Sequence, residues 1–129
     1  MTERARRILL AEDDRFLRRA AESRLRQGGF TVITAVDGEE ALRIARAEQP
    51  DLVLLDLIMP KIQGFEVLKA LKDDATTRHI PVIVLSNLGQ ESDVQRAMAQ
   101  GAIAYVVKAN LSLQGLAQKV AEVFEGGTP

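Results

Sequence analysis

Two four-residue stretches, Leu52-Val53-Leu54-Leu55 and Val82-Ile83-Val84-Leu85, are apolar at every position. A strand with one face in water alternates apolar and polar residues. Strands without alternation are covered on both faces, which is the situation of a parallel sheet between two layers of helices. Strand-like runs rich in β-branched and aliphatic residues recur at 8–11, 30–35, 52–55, 82–85 and 105–107. Helical patterns separate them. Leu17, Ala21 and Leu25 fall at four-residue spacing within 14–27, and Gly28-Gly29 stops that helix. Further helices are predicted over 39–48, ended by Pro50, over 65–72 with Phe65, Leu68 and Leu71 on one face, over 91–100, ended by Gly101, and over 113–124. The order is strand then helix, five times over, which predicts an α/β three-layer sandwich in one domain, as a length of 129 residues suits.

In such sheets ligands sit beyond the carboxyl ends of the strands, so the residues that close each strand carry the chemistry. The first strand closes in Glu12-Asp13-Asp14, the third in Asp56, the fourth in Ser86 and the fifth in Lys108. Crowded carboxylates repel and raise the pKa of at least one of them unless a cation compensates. Oxygen-only ligands and the absence of cysteine favour magnesium over zinc or copper. Each residue alone has a plainer explanation. Asp14 is the expected N-cap of the first helix; Glu12 and Asp13 suit solvated loop charges, Ser86 a turn hydroxyl and Lys108 an exposed lysine. Only their joint placement at one sheet edge, with Asp56 closing a wholly apolar strand, points to a site.

Composition excludes several alternatives. With no cysteine there is no disulfide scaffold, thiolate metal site or thiol nucleophile. A net charge of -1 gives no global attraction to nucleic acid or an anionic membrane. No apolar run approaches the roughly 18 residues of a membrane span, and a cytoplasmic location is expected, with residues 125–129 as a flexible tail. Neither G-x-x-x-x-G-K-[ST] nor G-x-G-x-x-G occurs, which removes the common nucleotide-binding loops.

The pattern Ile8-Leu9-Leu10-Ala11-Glu12-Asp13-Asp14 with Leu17-Arg18, then Leu54-Leu55-Asp56-Leu57-Ile58-Met59-Pro60 with Gly64, then Ser86, then Tyr105 with Lys108, resembles the receiver domain of two-component response regulators, the CheY-like family. The likeness runs over about residues 6–124, so it implies a single receiver domain across 1–129. It also implies the strand order 2-1-3-4-5. Asp56 is then the phosphoacceptor for a sensor histidine kinase or histidine phosphotransfer protein. Asp13 and Asp56 hold Mg²⁺ directly, Glu12 through water and Ile58 by its backbone carbonyl. Lys108 and Ser86 contact the phosphoryl oxygens, and Ser86 with Tyr105 switches the surface of the fourth helix, fifth strand and fifth helix for a downstream target. The resemblance implies a signalling domain, not an enzyme with turnover. Arg15, Arg18, Arg19, Arg24 and Arg26 make the first helix either a solvated basic face or a docking edge for the phosphodonor. Tyr105 is equally open between a switch and a plain strand-edge aromatic.

Some positions depart from the family pattern. Ala109 stands where a proline in a cis peptide is usual, and since a cis bond before a non-proline residue costs roughly 2.5–4 kcal/mol, a trans bond or a strained cis one is expected, which bears on the reach of Lys108. Asn87 is larger than the usual small neighbour of the switch hydroxyl. Ile58 and Leu88 cannot orient water, which predicts slow loss of the phosphoryl group. The segment 101–105 lacks the acidic pair that many DNA-binding regulators use to dimerise, which favours a stand-alone signalling protein; a monomer or weak dimer is expected, with no direct nucleic-acid binding and no membrane partner. Met59-Pro60 and Gly64 fit loop geometry, with Gly64 expected to supply a backbone conformation that other residues resist. Two other functions remain: a receiver-like adaptor acting without phosphorylation, and a magnesium phosphatase of the haloacid dehalogenase type. For the latter, Asp56-Leu57-Ile58 lacks the second acid.

Overall fold

The computed structural model describes residues 5–126. Strands β1 (Arg7–Ala11), β2 (Thr31–Ala35), β3 (Leu52–Leu55), β4 (Val82–Ser86) and β5 (Ala104–Val107) alternate with helices α1 (Arg15–Gln27), α2 (Gly38–Glu48), α3 (Gly64–Asp73), α4 (Glu91–Ala99) and α5 (Leu113–Gly126). All strand pairs are parallel, and the sheet order is β2-β1-β3-β4-β5. The three-layer fold and the strand order expected from the sequence are both present.

The pleat divides the core. Leu9, Val53, Leu55, Val82 and Val84 project to the layer that holds Ala41, Ala45, Val67, Leu68 and Leu71 of α2 and α3. Ile8, Leu10, Leu52, Leu54, Ile83 and Leu85 project to the layer of Ala21 and Leu25 from α1 and Leu116 and Val120 from α5. Period-two side chains in a strand covered on both faces are apolar at every position, which explains the two unalternated runs. Each such buried aliphatic side chain contributes roughly 1.5–3 kcal/mol of burial free energy.

The helix ends follow local chemistry. Asp14 caps α1, accepting hydrogen bonds from the amides of Phe16 and Leu17, while Gly29 at φ 93° turns the chain at the other end. Asp37 caps α2 through the Glu40 amide, and the helix ends at Gln49 in the left-handed region, just before Pro50. The boundaries differ modestly from expectation. β1 starts one residue earlier, at Arg7, β2 one residue later, at Thr31, β4 reaches Ser86, β5 starts at Ala104, and α5 continues through Gly126. The expected tail at 125–129 is therefore helical at its first two positions; the rest lies outside the described residues.

Gly64 corrects the sequence reading. It has no left-handed backbone; a Cβ there would lie 2.3 Å from the Leu57 Cα and 2.5 Å from the Asp56 carbonyl oxygen. Glycine is needed for close approach of α3 to the chain leaving β3. The positive φ in this loop belongs to Lys61, at 71°.

Candidate functional site

Strand pairing continues one residue beyond the ladders and delivers the carboxylates to one place. The Glu12 amide donates to the Ala35 carbonyl, and the Asp56 amide donates to the Ala11 carbonyl, each at 3.0 Å. The end of β1 and the end of β3 are thereby level. Carboxylate oxygens of Glu12, Asp13 and Asp56 lie within 4.8 Å of one another, with Glu12 and Asp56 buried and Asp13 exposed. At that spacing an ionised pair repels by about 3 kcal/mol at an effective dielectric constant near 20.

Lys108 supplies the local compensation. It opens a 3-10 turn over Lys108–Asn110 directly after β5, and its ammonium lies 3.0 Å from Asp56 Oδ2 and 2.7 Å from Glu12 Oε1. The peptide to Ala109 is trans, and the lysine still reaches across the sheet edge. One ammonium facing three carboxylates leaves an excess of negative charge when all are ionised. Burial pushes Glu12 up to about 7, against the opposing contacts of Lys108 and the Asp14 amide and with the Asp56 charge adding to the rise. Burial alone would lower Lys108, but its contacts with Glu12 and Asp56 hold it above the ordinary lysine value.

The loop carrying the acids is laced to itself. Glu12 Oε2 accepts from the Asp14 amide at 3.0 Å, Asp56 Oδ1 accepts from the Ile58 amide at 3.1 Å, and Arg18 Nη1 donates to the carbonyls of both Glu12 and Asp13. Glu12 Oε1 is buried against the Lys108 ammonium at 2.7 Å. An oxygen-only cluster of three carboxylates with a single ammonium against two of them suits a hard divalent cation, and Mg²⁺ fits this donor set.

Ser86 is fully buried at the end of β4, and its hydroxyl accepts from the Leu88 amide at 3.2 Å. The Tyr105 hydroxyl donates to the Leu88 carbonyl while the ring packs half-buried against the core. Burial, and next the charge of Asp93, push the Tyr105 phenol above its ordinary value. Ile58 is exposed beside the cluster. All side chains singled out at the strand ends therefore sit at the carboxyl edge of the sheet, and Glu12, Asp13, Asp56 and Lys108 converge directly. Three features go beyond the sequence reading: Lys108 bridges two carboxylates, Leu88 offers its backbone to both Ser86 and Tyr105, and Arg18 binds loop carbonyls. Only a hint of the third was visible, in the helical offset that returns position 18 to the start of α1.

A family model described as the response regulator receiver domain matches residues 8–121. The curated protein "Probable transcriptional regulator ycf27" of Cyanophora paradoxa is 43% identical over 103 residues, which cover 80% of this chain and 42% of that protein. The chain thus spans about two fifths of the length of the ycf27 relatives it matches. Among solved structures, the chemotaxis protein CheY4 of Vibrio cholerae aligns with a TM-score of 0.86 at 28% identity, covering 93% of this chain and 99% of that one. The CheX-CheY-BeF3-Mg²⁺ complex of Borrelia burgdorferi aligns with a TM-score of 0.85 at 31% identity, covering 92% and 89% of the two chains.

Proposed function

The chain belongs to the response regulator receiver domain family, a signalling domain of two-component systems rather than a classical enzyme, and from this premise we propose that Asp56 is its phosphoacceptor. The observation that carries the reading is the placement of Asp56. It is a nearly buried carboxylate at the end of a central strand, held by Lys108 at 3.0 Å and clustered with Glu12 and Asp13.

The reaction is a transfer from nitrogen to oxygen. A lone pair of the Asp56 carboxylate forms the new O–P bond as the P–N bond of a phosphohistidine breaks. The donor imidazole leaves with that electron pair and takes a proton from solvent, and the product is an acyl phosphate. A carboxylate is a weak nucleophile, so the protein contributes mainly position and charge. Asp13 and Asp56 would hold Mg²⁺ directly, Glu12 through water and Ile58 by its carbonyl. When bound, the ion supplies positive charge to the equatorial oxygens as the charge on phosphorus spreads. Lys108 holds the attacking carboxylate in place and then follows the phosphoryl group as a mobile point charge. Ser86 donates its hydroxyl to another phosphoryl oxygen, and the movement this requires pulls on the hydrogen bond that the same oxygen accepts from the Leu88 amide.

That movement couples chemistry to a surface. Leu88 holds both Ser86 and Tyr105, so drawing Ser86 inward shifts the loop into α4 and biases the α4-β5-α5 face between two arrangements. A downstream partner reads this face, and the phosphodonor approaches over α1 beside Asp13. The exposed, apolar Ile58 offers no group to orient an attacking water, which gives the acyl phosphate a long lifetime. No helix among the described residues is long and apolar enough to cross a membrane, and a cytoplasmic site of action fits a phosphohistidine donor.

Phosphoramidate, a small donor with a P–N bond, tests the assignment. Incubated with magnesium, the wild type gains a phosphoryl group that hydroxylamine removes, as an acyl phosphate requires, and Asp56→Asn gains none. A hydroxylamine-resistant product, or one that persists in Asp56→Asn, contradicts the proposal.

A further inference from the structure

Arg18 lies one helical turn beyond Asp14 and is half-buried. Its Nη1 donates to the Glu12 carbonyl at 3.0 Å and to the Asp13 carbonyl at 3.2 Å. Three carboxylates stand close by in sequence, yet among the described residues Arg18 forms no ion pair with any of them. The choice of partner matters chemically. A guanidinium on a carboxylate neutralises it and competes with a cation, whereas one on two successive carbonyls fixes the peptide planes and leaves the carboxylates free.

The rest of the loop explains why such a clamp has work to do. Glu12 is pinned at its amide by Ala35, and Asp14 is pinned by its cap bonds to Phe16 and Leu17. Between these two anchors Asp13 is exposed, and among the described residues its carboxylate accepts no hydrogen bond that would orient it. The backbone of residues 12 and 13 sets the direction in which Asp13 leaves the chain. Arg18 is the side chain that ties down both of those carbonyls.

From this geometry we infer that Arg18 is a positioning residue for the cation site, holding the Glu12–Asp13 backbone so that the Asp13 carboxylate joins those of Glu12 and Asp56. The inference rests on the reading of that cluster as a magnesium site. It makes a prediction whose sign separates it from simple electrostatics. Removing a positive charge near a cation site favours cation binding through the Coulomb term. Losing a group that orients the ligands disfavours it, typically by 10- to 100-fold in affinity.

Magnesium chloride titrated into ¹⁵N-labelled protein, followed by the amide shifts of residues at the strand ends, measures the affinity without any phosphodonor. Arg18→Ala and Arg18→Met are expected to weaken magnesium binding by about 10-fold, methionine keeping the apolar stem so that one variant stays well packed. Arg19→Ala removes the same charge from an exposed neighbour that, among the described residues, binds no loop carbonyl, and is expected to bind magnesium as tightly as the wild type or slightly tighter. In phosphorylation by acetyl phosphate the half-saturating magnesium concentration of the Arg18 variants rises, while the rate at saturating magnesium stays within about twofold of wild type. Arg18 variants that bind magnesium as tightly as the wild type, or tighter, overturn the inference alone. A wild type with no saturable magnesium response overturns the reading of the site, and this inference with it.

Discussion

The two halves of the sheet are built to different standards. At β1 and β3 every residue but Arg7 is buried, and the loops that follow are fixed by the bonds of Glu12, Asp14, Arg18 and Asp56. At β5 all four residues are only half-buried, α4 buries Ala97 alone, and Gln90 caps that helix without a side-chain hydrogen bond. Besides Ala97 in the core, α4 is tied to its surroundings by the Arg96 guanidinium stacked 4.0 Å over Phe65, with the Tyr105 to Leu88 bond just ahead of it. Elements with few buried apolar side chains open at low free-energy cost. The difference teaches that one half holds its cluster of charges in a fixed frame, while the other costs less to rearrange. Lys108 and Ser86 lie where the halves meet.

The sharpest way to break the contrast is to remove its shared cation. Lys108→Met leaves Glu12 and Asp56 buried and facing each other without a counter-charge, and is expected to cost about 3 kcal/mol in urea unfolding at pH 8 without magnesium. The loss shrinks at pH 6, where Glu12 can take a proton. A loss that is equal at both pH values would show that the lysine acts by packing alone. Gly64→Ala attacks the rigid half through its backbone. The added methyl meets main-chain atoms of Asp56 and Leu57, and a destabilisation of about 3 kcal/mol is expected, at the upper end for an overpacked site.

The pH profile comes next in size. Burial raises the folded-state pKa of Glu12 to about 7 from 4.5, so the folded protein holds a proton that the unfolded chain releases. Its contribution is fully present below about pH 4.5 and is lost as pH rises through about 7, with a slope of up to about 1.4 kcal/mol per pH unit without magnesium. Asp37 and Asp74 run the other way. The Glu40 amide lowers the first and the Thr76 amide the second, so the stability they lend is lost as pH falls through their depressed folded-state values. Glu12→Gln should flatten the upper limb in urea titrations at several pH values and leave the acid limb in place. The smallest effect belongs to the loose half. Arg96→Ala forfeits a cation–π contact worth about 0.5–1 kcal/mol, speeds amide exchange in α4, and leaves magnesium affinity unchanged.

The contrast also marks what the sequence disclosed. Strands β3 and β4 were legible because double-sided burial writes itself as unbroken apolarity. The half-buried β5 carries a weaker pattern, while the one-residue differences in strand starts are shared by β1, β2 and β5 and do not follow burial. Asp56 and Lys108 were found as strand-end residues, but 52 positions apart in the chain they declare their types and not their distance. That Lys108 would bridge Glu12 as well depended on the 3-10 turn after β5, which no residue pattern announces. The tight passages at Gly64 and Gly38 also stayed hidden as such. A Cβ at Gly38 would lie 2.2 Å from the Ile62 carbonyl oxygen, a conflict between segments far apart in sequence. Asp37 and Glu40, by contrast, have the spacing of a helix start, and that signal was available.

Intact mass spectrometry after incubation with acetyl phosphate, with and without magnesium, puts the account to its most direct trial. The wild type should gain the mass of one phosphoryl group only when magnesium is present, and Asp56→Asn should gain none under either condition. Equal labelling of the two proteins, or labelling of the wild type that ignores the metal, would contradict the claim that Asp56 and its acidic neighbours form one metal-dependent phosphoacceptor site.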